Sequence, residues 1–94
     1  MDAREVVKKP IVSERSYKLI EQNRYTFEVA KEASKIEIGK AVEEVFDVTV
    51  VNVNTMRVSG KKRRVRAALG RTKDWKKAVV TLKEGDSIEL FAAQ

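Results

Sequence analysis

The chain has 94 residues, of which 43% are apolar and 36% charged, and its 20 Lys and Arg exceed its 14 Asp and Glu for a formal net charge of +6. This length suits one small domain with one hydrophobic core, spanning residues 1–94. Cys and His are both absent, which excludes disulfides and thiolate metal sites and removes the commonest general base. We therefore expect no cofactor and no enzymatic activity. No apolar run approaches the roughly 18 residues that cross a bilayer, and residues 1–5 lack a signal-peptide pattern, so a cytoplasmic location is expected.

The first thirty residues predict two short helices and a strand. Residues 2–9 suit a helix that Pro10 ends, because the residue before a proline is pushed out of the α region. Ser13 suits the N-cap of a second helix over residues 14–22. The side chains that this helix would turn inward are Tyr17, Ile20 and Leu19. Residues 24–30 alternate between apolar and polar side chains, which predicts a strand with one face exposed to solvent.

A third helix is predicted after Ser34 by a capping box. Ser34 and Glu37 have the spacing at which a hydroxyl and a carboxylate satisfy each other's backbone donors at a helix start. The helix that follows places one apolar face toward a core, formed by Ile38, Ala41, Val42 and Val45. Gly39 costs this helix about 1 kcal/mol relative to Ala, which suggests close packing against a sheet.

The remaining sequence predicts three strands and an α+β fold. Residues 48–58 are rich in Val, but their apolar phase slips between Val50 and Val51, which predicts a bulge or a strand buried on both faces. Two further strands are predicted over residues 78–83 and 87–91 around a Gly-Asp turn. The expected fold is a small, mainly antiparallel sheet of about four strands with helices on one face and a long basic hairpin loop.

The charge excess lies in residues 61–77, which we call the basic segment. It holds nine of the twenty Lys and Arg and one acid, a local charge of +8, whereas the other 77 residues sum to −2. Such a segment resists burial, and its position between strands predicts an extended loop over residues 60–77 that binds phosphates. The candidate RNA contacts in this segment are Lys61, Lys62, Arg63, Arg64, Arg66, Arg71, Lys73, Trp75, Lys76 and Lys77.

Several of these candidates have a structural interpretation as well. Trp75 either closes the neck of the hairpin by packing on a valine or stacks on a base. Either Lys76 or Lys77 can face the edge of the core instead of RNA. Asn54 and Thr55 are polar residues within an apolar strand, and they either line a solvent-exposed sheet face or bind RNA sugar and phosphate.

Two other classes of function fit parts of the sequence. Small α+β sheets also build acylphosphatases, which use an Arg and an Asn, but this chain has no glycine-rich phosphate loop and no spacing of carboxylates suited to acid-base catalysis. A free-standing RNA-binding module is the stronger of the two, because the charge of the basic segment alone does not exclude it.

Five segments together resemble one known family. They are residues 9–15 (KPIVSER), 25–29 (YTFEV), the helix of residues 34–46, 53–56 (VNTM) and 74–78 (DWKKA), and they occur in the order typical of the bacterial L23 family of large-subunit ribosomal proteins, uL23 in the universal nomenclature. The resemblance covers essentially the whole chain. It departs from the family at Arg66-Ala67-Ala68, where members commonly have a glycine followed by a base.

The resemblance implies a location and a set of partners. A member of this family binds large-subunit ribosomal RNA beside the peptide exit tunnel, next to ribosomal protein L29, and serves as a docking platform for trigger factor and the signal recognition particle. The residue that matches the family's docking carboxylate is Glu14, with Val12 and Ser13 beside it. From its position alone, Glu14 is a helix-dipole residue, since a carboxylate in the first turn of a helix is favourable.

Overall fold

The computed structural model describes residues 2–58, 62–65, 68–71 and 74–89, and for 62–65 and 68–71 it describes the backbone alone. Within these residues the chain forms an α+β fold. Its elements, in chain order, are α1 (Ala3–Val6), β1 (Val7–Pro10), α2 (Glu14–Ile20), β2 (Arg24–Val29), α3 (Lys35–Phe46), β3 (Val50–Val58), β4 (Lys62–Val65), β5 (Ala68–Arg71) and β6 (Trp75–Leu82).

Four strands form one antiparallel sheet in the order β1-β2-β6-β3, which confirms the predicted four-stranded sheet. The strands that form this sheet differ from the predicted strands at both ends of the chain. The first helix stops at Val6, and the next four residues pair along β2 as an edge strand, with Lys9 opposite Glu28. Pro10 has no backbone N–H to donate, and an edge strand tolerates it because one side of its backbone has no neighbouring strand. At the other end, residues 87–89 form no strand, while 90 and 91 lie outside the described residues.

One face of the sheet, which we call the core face, packs against α1 and α3. Phe27 and Val80 from the sheet and Ile38 and Val42 from α3 are all 0% exposed. The ring of Phe27 lies 5.4 Å from that of Phe46 between centroids, within the range of favourable aromatic pairs. The predicted apolar face of this helix is therefore confirmed at Ile38, Ala41 and Val42, whereas Val45 is only half-buried and Phe46 packs against the core in the last turn.

The capping box of α3 is present as predicted. Ser34 Oγ accepts a 3.2 Å hydrogen bond from the backbone N–H of Glu37, and Glu37 Oε1 accepts a 3.0 Å bond from the backbone N–H of Ser34. Gly39 is buried against β3: a Cβ atom there would lie 3.5 Å from Val53 and 3.7 Å from Val50. These are ordinary contact distances, so the helix packs closely on the sheet but leaves room for a methyl group.

The predicted irregularity in β3 is a bulge. The register with β6 shifts between Val50 and Asn52, and Val51, which lies between them, is 60% exposed. Beyond the bulge, even-numbered residues such as Asn54 share one face of the strand and odd-numbered residues such as Val53 share the other.

The second helix differs from the prediction in its orientation. Ser13 caps α2 as expected, and its partner in the capping box is Ser16. However, Ser16 is buried and Tyr17 is 57% exposed, so Tyr17 does not point into the core. The helix borders the sheet face opposite α3, where Leu19 and Thr26 line one pocket. The prediction of helices on one face therefore holds for α1 and α3 but not for α2, because a connection between adjacent antiparallel strands, here residues 11–23, can lie on either side of the sheet.

Candidate nucleic-acid interface

The basic segment contains two short paired strands. Strands β4 and β5 are antiparallel, with Lys62 opposite Arg71, Arg63 opposite Gly70 and Arg64 opposite Leu69. Lys61, Arg66 and Lys73 lie outside the described residues. The extended hairpin over residues 60–77 therefore stays a prediction, although Val58, the last residue of β3, pairs with Trp75, the first residue of β6.

The two lysines that follow Trp75 lie on opposite faces of β6. Successive residues of a strand point to opposite faces, and Lys76 shares its face with the buried Ala78 and Val80. Its Nζ donates a 2.6 Å hydrogen bond to the carbonyl of Ala33. Lys77 lies on the opposite face, between Glu28 and Met56 in register. Lys76 is thus the lysine at the edge of the core, and Lys77 is the one on the face away from α3.

The face that carries Lys77 we call the open face of the sheet. Asn52, Asn54 and Met56 share it, and all three are exposed. Thr55 lies on the core face, opposite Ala78. The structure therefore brings Asn54 together with Lys77 but does not bring Thr55 to them.

Sequence reasoning missed Met56 as a member of this surface. Its side chain is 44% exposed. The signal that identifies it is its pairing with Lys77 across β3 and β6, and this pairing depends on a strand more than twenty residues away.

Trp75 stands where the basic segment rejoins the sheet. It is half-buried, lies opposite Val58 in register and borders a pocket with Glu28, Val29 and Lys31. Its position fits the structural role of closing the neck, and its remaining exposed surface is compatible with stacking on a base.

The residues proposed for partner docking lie at the start of α2. Val12 is 52% exposed, and Glu14, the first residue of the helix, is also exposed. Ser13 accepts a 3.3 Å hydrogen bond from the backbone N–H of Ser16, so its hydroxyl is used to cap the helix. Of the three, Val12 and Glu14 have side chains available to a partner.

Two kinds of feature are absent from the described residues. No helix among them is long and apolar enough to span a bilayer. Within the same residues there is no group of three or more carboxylates placed to hold a metal ion.

Comparison with known proteins identifies the family. The family model for "Ribosomal protein L23" matches residues 5–90. The chain is 58% identical over 91 residues to the large ribosomal subunit protein uL23 of Desulfitobacterium hafniense strain DCB-2, covering 97% of this chain and 96% of the relative. It is 52% identical to the uL23 of Symbiobacterium thermophilum, over 97% of both chains, and 49% identical to that of Cutibacterium acnes, over 96% and 88%. With a match over nearly its whole length and relatives at this level of identity, the chain belongs to the ribosomal protein L23 family.

Proposed function

We propose that this chain is a non-enzymatic, structural protein of the large ribosomal subunit that binds ribosomal RNA through the basic segment and the adjoining open face. The observation that carries this proposal is the distribution of charge: a local +8 next to a remainder of −2. A polyanion attracts such a segment strongly, and the paired backbone of β4 and β5 supports its presentation as a hairpin rather than a tail.

The open face extends the same surface. Lys77 supplies a cation, and Asn54 supplies an amide that can bind sugar or phosphate oxygens. Both lie on strands that lead into the basic segment, so an RNA bound to that segment passes close to them. A location beside the peptide exit tunnel, next to ribosomal protein L29, is the arrangement that we propose from the family, in the cytoplasm.

The exposed start of α2 supports a second role at the same location. Glu14 and Val12 offer a carboxylate next to an apolar side chain, a combination suited to a partner that presents a basic residue. We propose that trigger factor and the signal recognition particle dock here, with Glu14 pairing with a cation of the factor.

The test of RNA binding is the dependence of affinity on salt. If about five cations each neutralise one phosphate, log K should fall against log salt with a slope of about −3.5 to −4.5. Replacing Arg63, Arg64 and Arg66 with Ala should flatten the slope by about 2 to 3. An affinity for large-subunit RNA that responds neither to salt nor to this substitution would refute the proposal.

A free-standing RNA-binding module is the alternative function. Co-sedimentation of the chain with large subunits in high salt distinguishes the two, because an integral component stays with the subunit whereas a module held by charge alone dissociates.

A further inference from the structure

A pocket between α2 and the open face contains a buried hydroxyl without a partner. Thr26, on β2, is 4% exposed, and in the described part of the chain its Oγ1 is the one buried side-chain polar atom that makes no hydrogen bond. Native proteins rarely leave such a group unpaired. Apolar side chains form much of the surrounding wall, namely Ile11, Leu19, Met56 and Val79.

The neighbouring hydroxyls do not satisfy Thr26. Ser16 Oγ accepts a 2.7 Å hydrogen bond from the backbone N–H of Ser13 and donates to the carbonyl of Ser13 at 3.1 Å. Ser13 Oγ in turn accepts from the backbone N–H of Ser16. Both serines are therefore committed to capping α2. A water molecule can bind a lone hydroxyl, but the apolar walls favour a ligand that brings an apolar surface together with a polar edge.

Two cations also line the pocket. Arg15, from α2, and Lys77, from β6, both border it. Lys77 lies opposite Glu28 in register, but the Glu28 carboxylate is 3.8 Å from Lys9 Nζ. Neither Arg15 nor Lys77 is held in an ion pair within the residues that the structure describes. A ligand with a negative group next to its apolar surface fits this arrangement.

The size of the pocket narrows the choice of ligand. Its volume is about 200 Å³, below the roughly 300 Å³ at which pockets begin to hold drug-sized ligands. An apolar cavity of about 150 Å³ already accommodates benzene. The space is therefore large enough for one six-membered ring, and the second ring of a purine would extend out of the pocket toward solvent.

We propose that this pocket binds one unpaired pyrimidine nucleotide of ribosomal RNA. The base lies against Leu19, Met56 and Val79, and its phosphate lies between Arg15 and Lys77. A rotation of the Thr26 side chain about χ1 turns its enclosed Oγ1 toward the polar edge of the base, which then supplies the missing hydrogen bond. Single-stranded bases that leave the helical stack are the usual targets of specific RNA recognition. This inference rests on the proposed RNA-binding function and adds to it a site outside the basic segment.

The direct test is a titration of the full chain with uridine 5′-monophosphate, followed by NMR. The nucleotide should shift the resonances of Thr26, Met56 and Val79. Thr26→Val keeps the shape of the side chain and removes the hydroxyl, so it should weaken binding about fivefold, the effect of one hydrogen bond, without lowering the melting temperature. Thr81→Val is the matched control, because Thr81 shares the same sheet face outside the pocket, and it should bind like the wild type.

Further probes separate the base from the phosphate. Arg15→Gln should weaken binding of the nucleotide but leave binding of uridine unchanged. Adenosine 5′-monophosphate should bind more weakly than the uridine nucleotide. Equal binding of the adenine nucleotide would overturn the pyrimidine assignment, and inorganic phosphate that reproduces the same shifts would overturn the base site. If Thr26→Val binds the uridine nucleotide as tightly as the wild type does, the proposed hydrogen bond between the base and the Thr26 hydroxyl is overturned.

The failure of this inference is distinguishable from a failure of the proposed function. Loss of RNA affinity on substitution of Arg63 and Arg64, with retained binding of the uridine nucleotide, supports both. If these substitutions leave RNA affinity unchanged while the pocket still binds the nucleotide, only the proposed function of the basic segment is refuted. In assembled ribosomes, a benzoylphenylalanine in place of Met56 should cross-link to RNA, and a cross-link to protein would instead identify the pocket as a protein-docking site and overturn the inference.

Discussion

Lys76 is bonded to Ala33, 43 residues away in the chain: its Nζ donates a 2.6 Å hydrogen bond to the carbonyl of this buried residue. Ala33 immediately precedes the N-cap of α3, so the lysine ties the start of the helix to the sheet. Of the two lysines that the sequence offers for the edge of the core, Lys76 is thus the one that stabilises the fold.

The two adjacent lysines should therefore respond in opposite ways to the same substitution. Lys76→Met keeps the apolar stem and loses the donor, so it should lower the free energy of unfolding by about 1 to 2 kcal/mol, with RNA affinity retained by the folded protein. Lys77→Met is the matched control. It should leave stability unchanged and reduce the slope of log K against log salt by about 0.7 to 0.9.

Urea denaturation and RNA titrations of both variants provide the measurements. If Lys76→Met weakens RNA binding as much as Lys77→Met and leaves the urea midpoint unchanged, Lys76 is an RNA ligand and its bond to Ala33 is of no consequence.

Gly39→Ala should stabilise the protein. The added Cβ would lie at ordinary contact distance from Val53 and Val50, and alanine is about 1 kcal/mol more favourable than glycine inside a helix. Gly85→Ala is the opposing control, because Gly85 has a φ of +96°, where a side chain is strained, and it should destabilise by about 1 kcal/mol. Thermal unfolding of the two variants decides, and a lower melting temperature for Gly39→Ala would show that the helix cannot accept the methyl group.

Glu37 should make the stability of the protein depend on pH in the acidic range. Its hydrogen bond from the backbone N–H of Ser34, followed by its bond with the Ser34 side chain, lowers the pKa of this carboxyl below its ordinary value of 4.5. Because the folded pKa is the lower one, the stabilisation is present above the unfolded pKa and is lost as the pH falls through the folded pKa. Glu37→Gln keeps the acceptor without the charge. The stability difference between it and the wild type should be largest near neutral pH and vanish in acid; a difference that is constant with pH would contradict this assignment.

Glu14 should matter for partner binding rather than for folding. A carboxylate in the first turn contributes about 0.3 to 1 kcal/mol to a helix, so Glu14→Ala should barely change stability or RNA binding. If it pairs with a cation of trigger factor at a desolvated contact, its loss should cost about 2 to 5 kcal/mol of binding, and Glu14→Arg should cost more.

The measurement is the affinity of trigger factor for ribosomes that carry each variant, with subunit assembly checked in parallel. Glu21→Ala, at the other end of α2, serves as the control and should bind normally. Unchanged affinity for both Glu14 variants would leave this residue with a role in helix capping alone.

Features that depend on neighbouring residues were predictable from the sequence. The box of Ser34 and Glu37 involves groups three residues apart, and the alternation in β2 and the bulge after Val50 are equally local patterns. The charge of the basic segment is a property of composition. None of these features requires knowledge of which distant strand lies alongside.

The remaining features were decided by pairing across the chain. Residues 7–10 have no clear strand pattern, and they form β1 only because β2 offers a free edge. Similarly, Asn23, in the turn between α2 and β2, donates a hydrogen bond to the carbonyl of Leu82, 59 residues away. Which lysine lies on the open face, and whether Asn54 or Thr55 shares that face, depends on the register of β6 with its neighbours. The pocket around Thr26 depends on the side of the sheet that α2 borders. Local hydrogen bonds and periodicity depend on residues that are close in the sequence, so they can be predicted from it. The element that covers a given sheet face is determined by tertiary packing, and only the folded chain shows it.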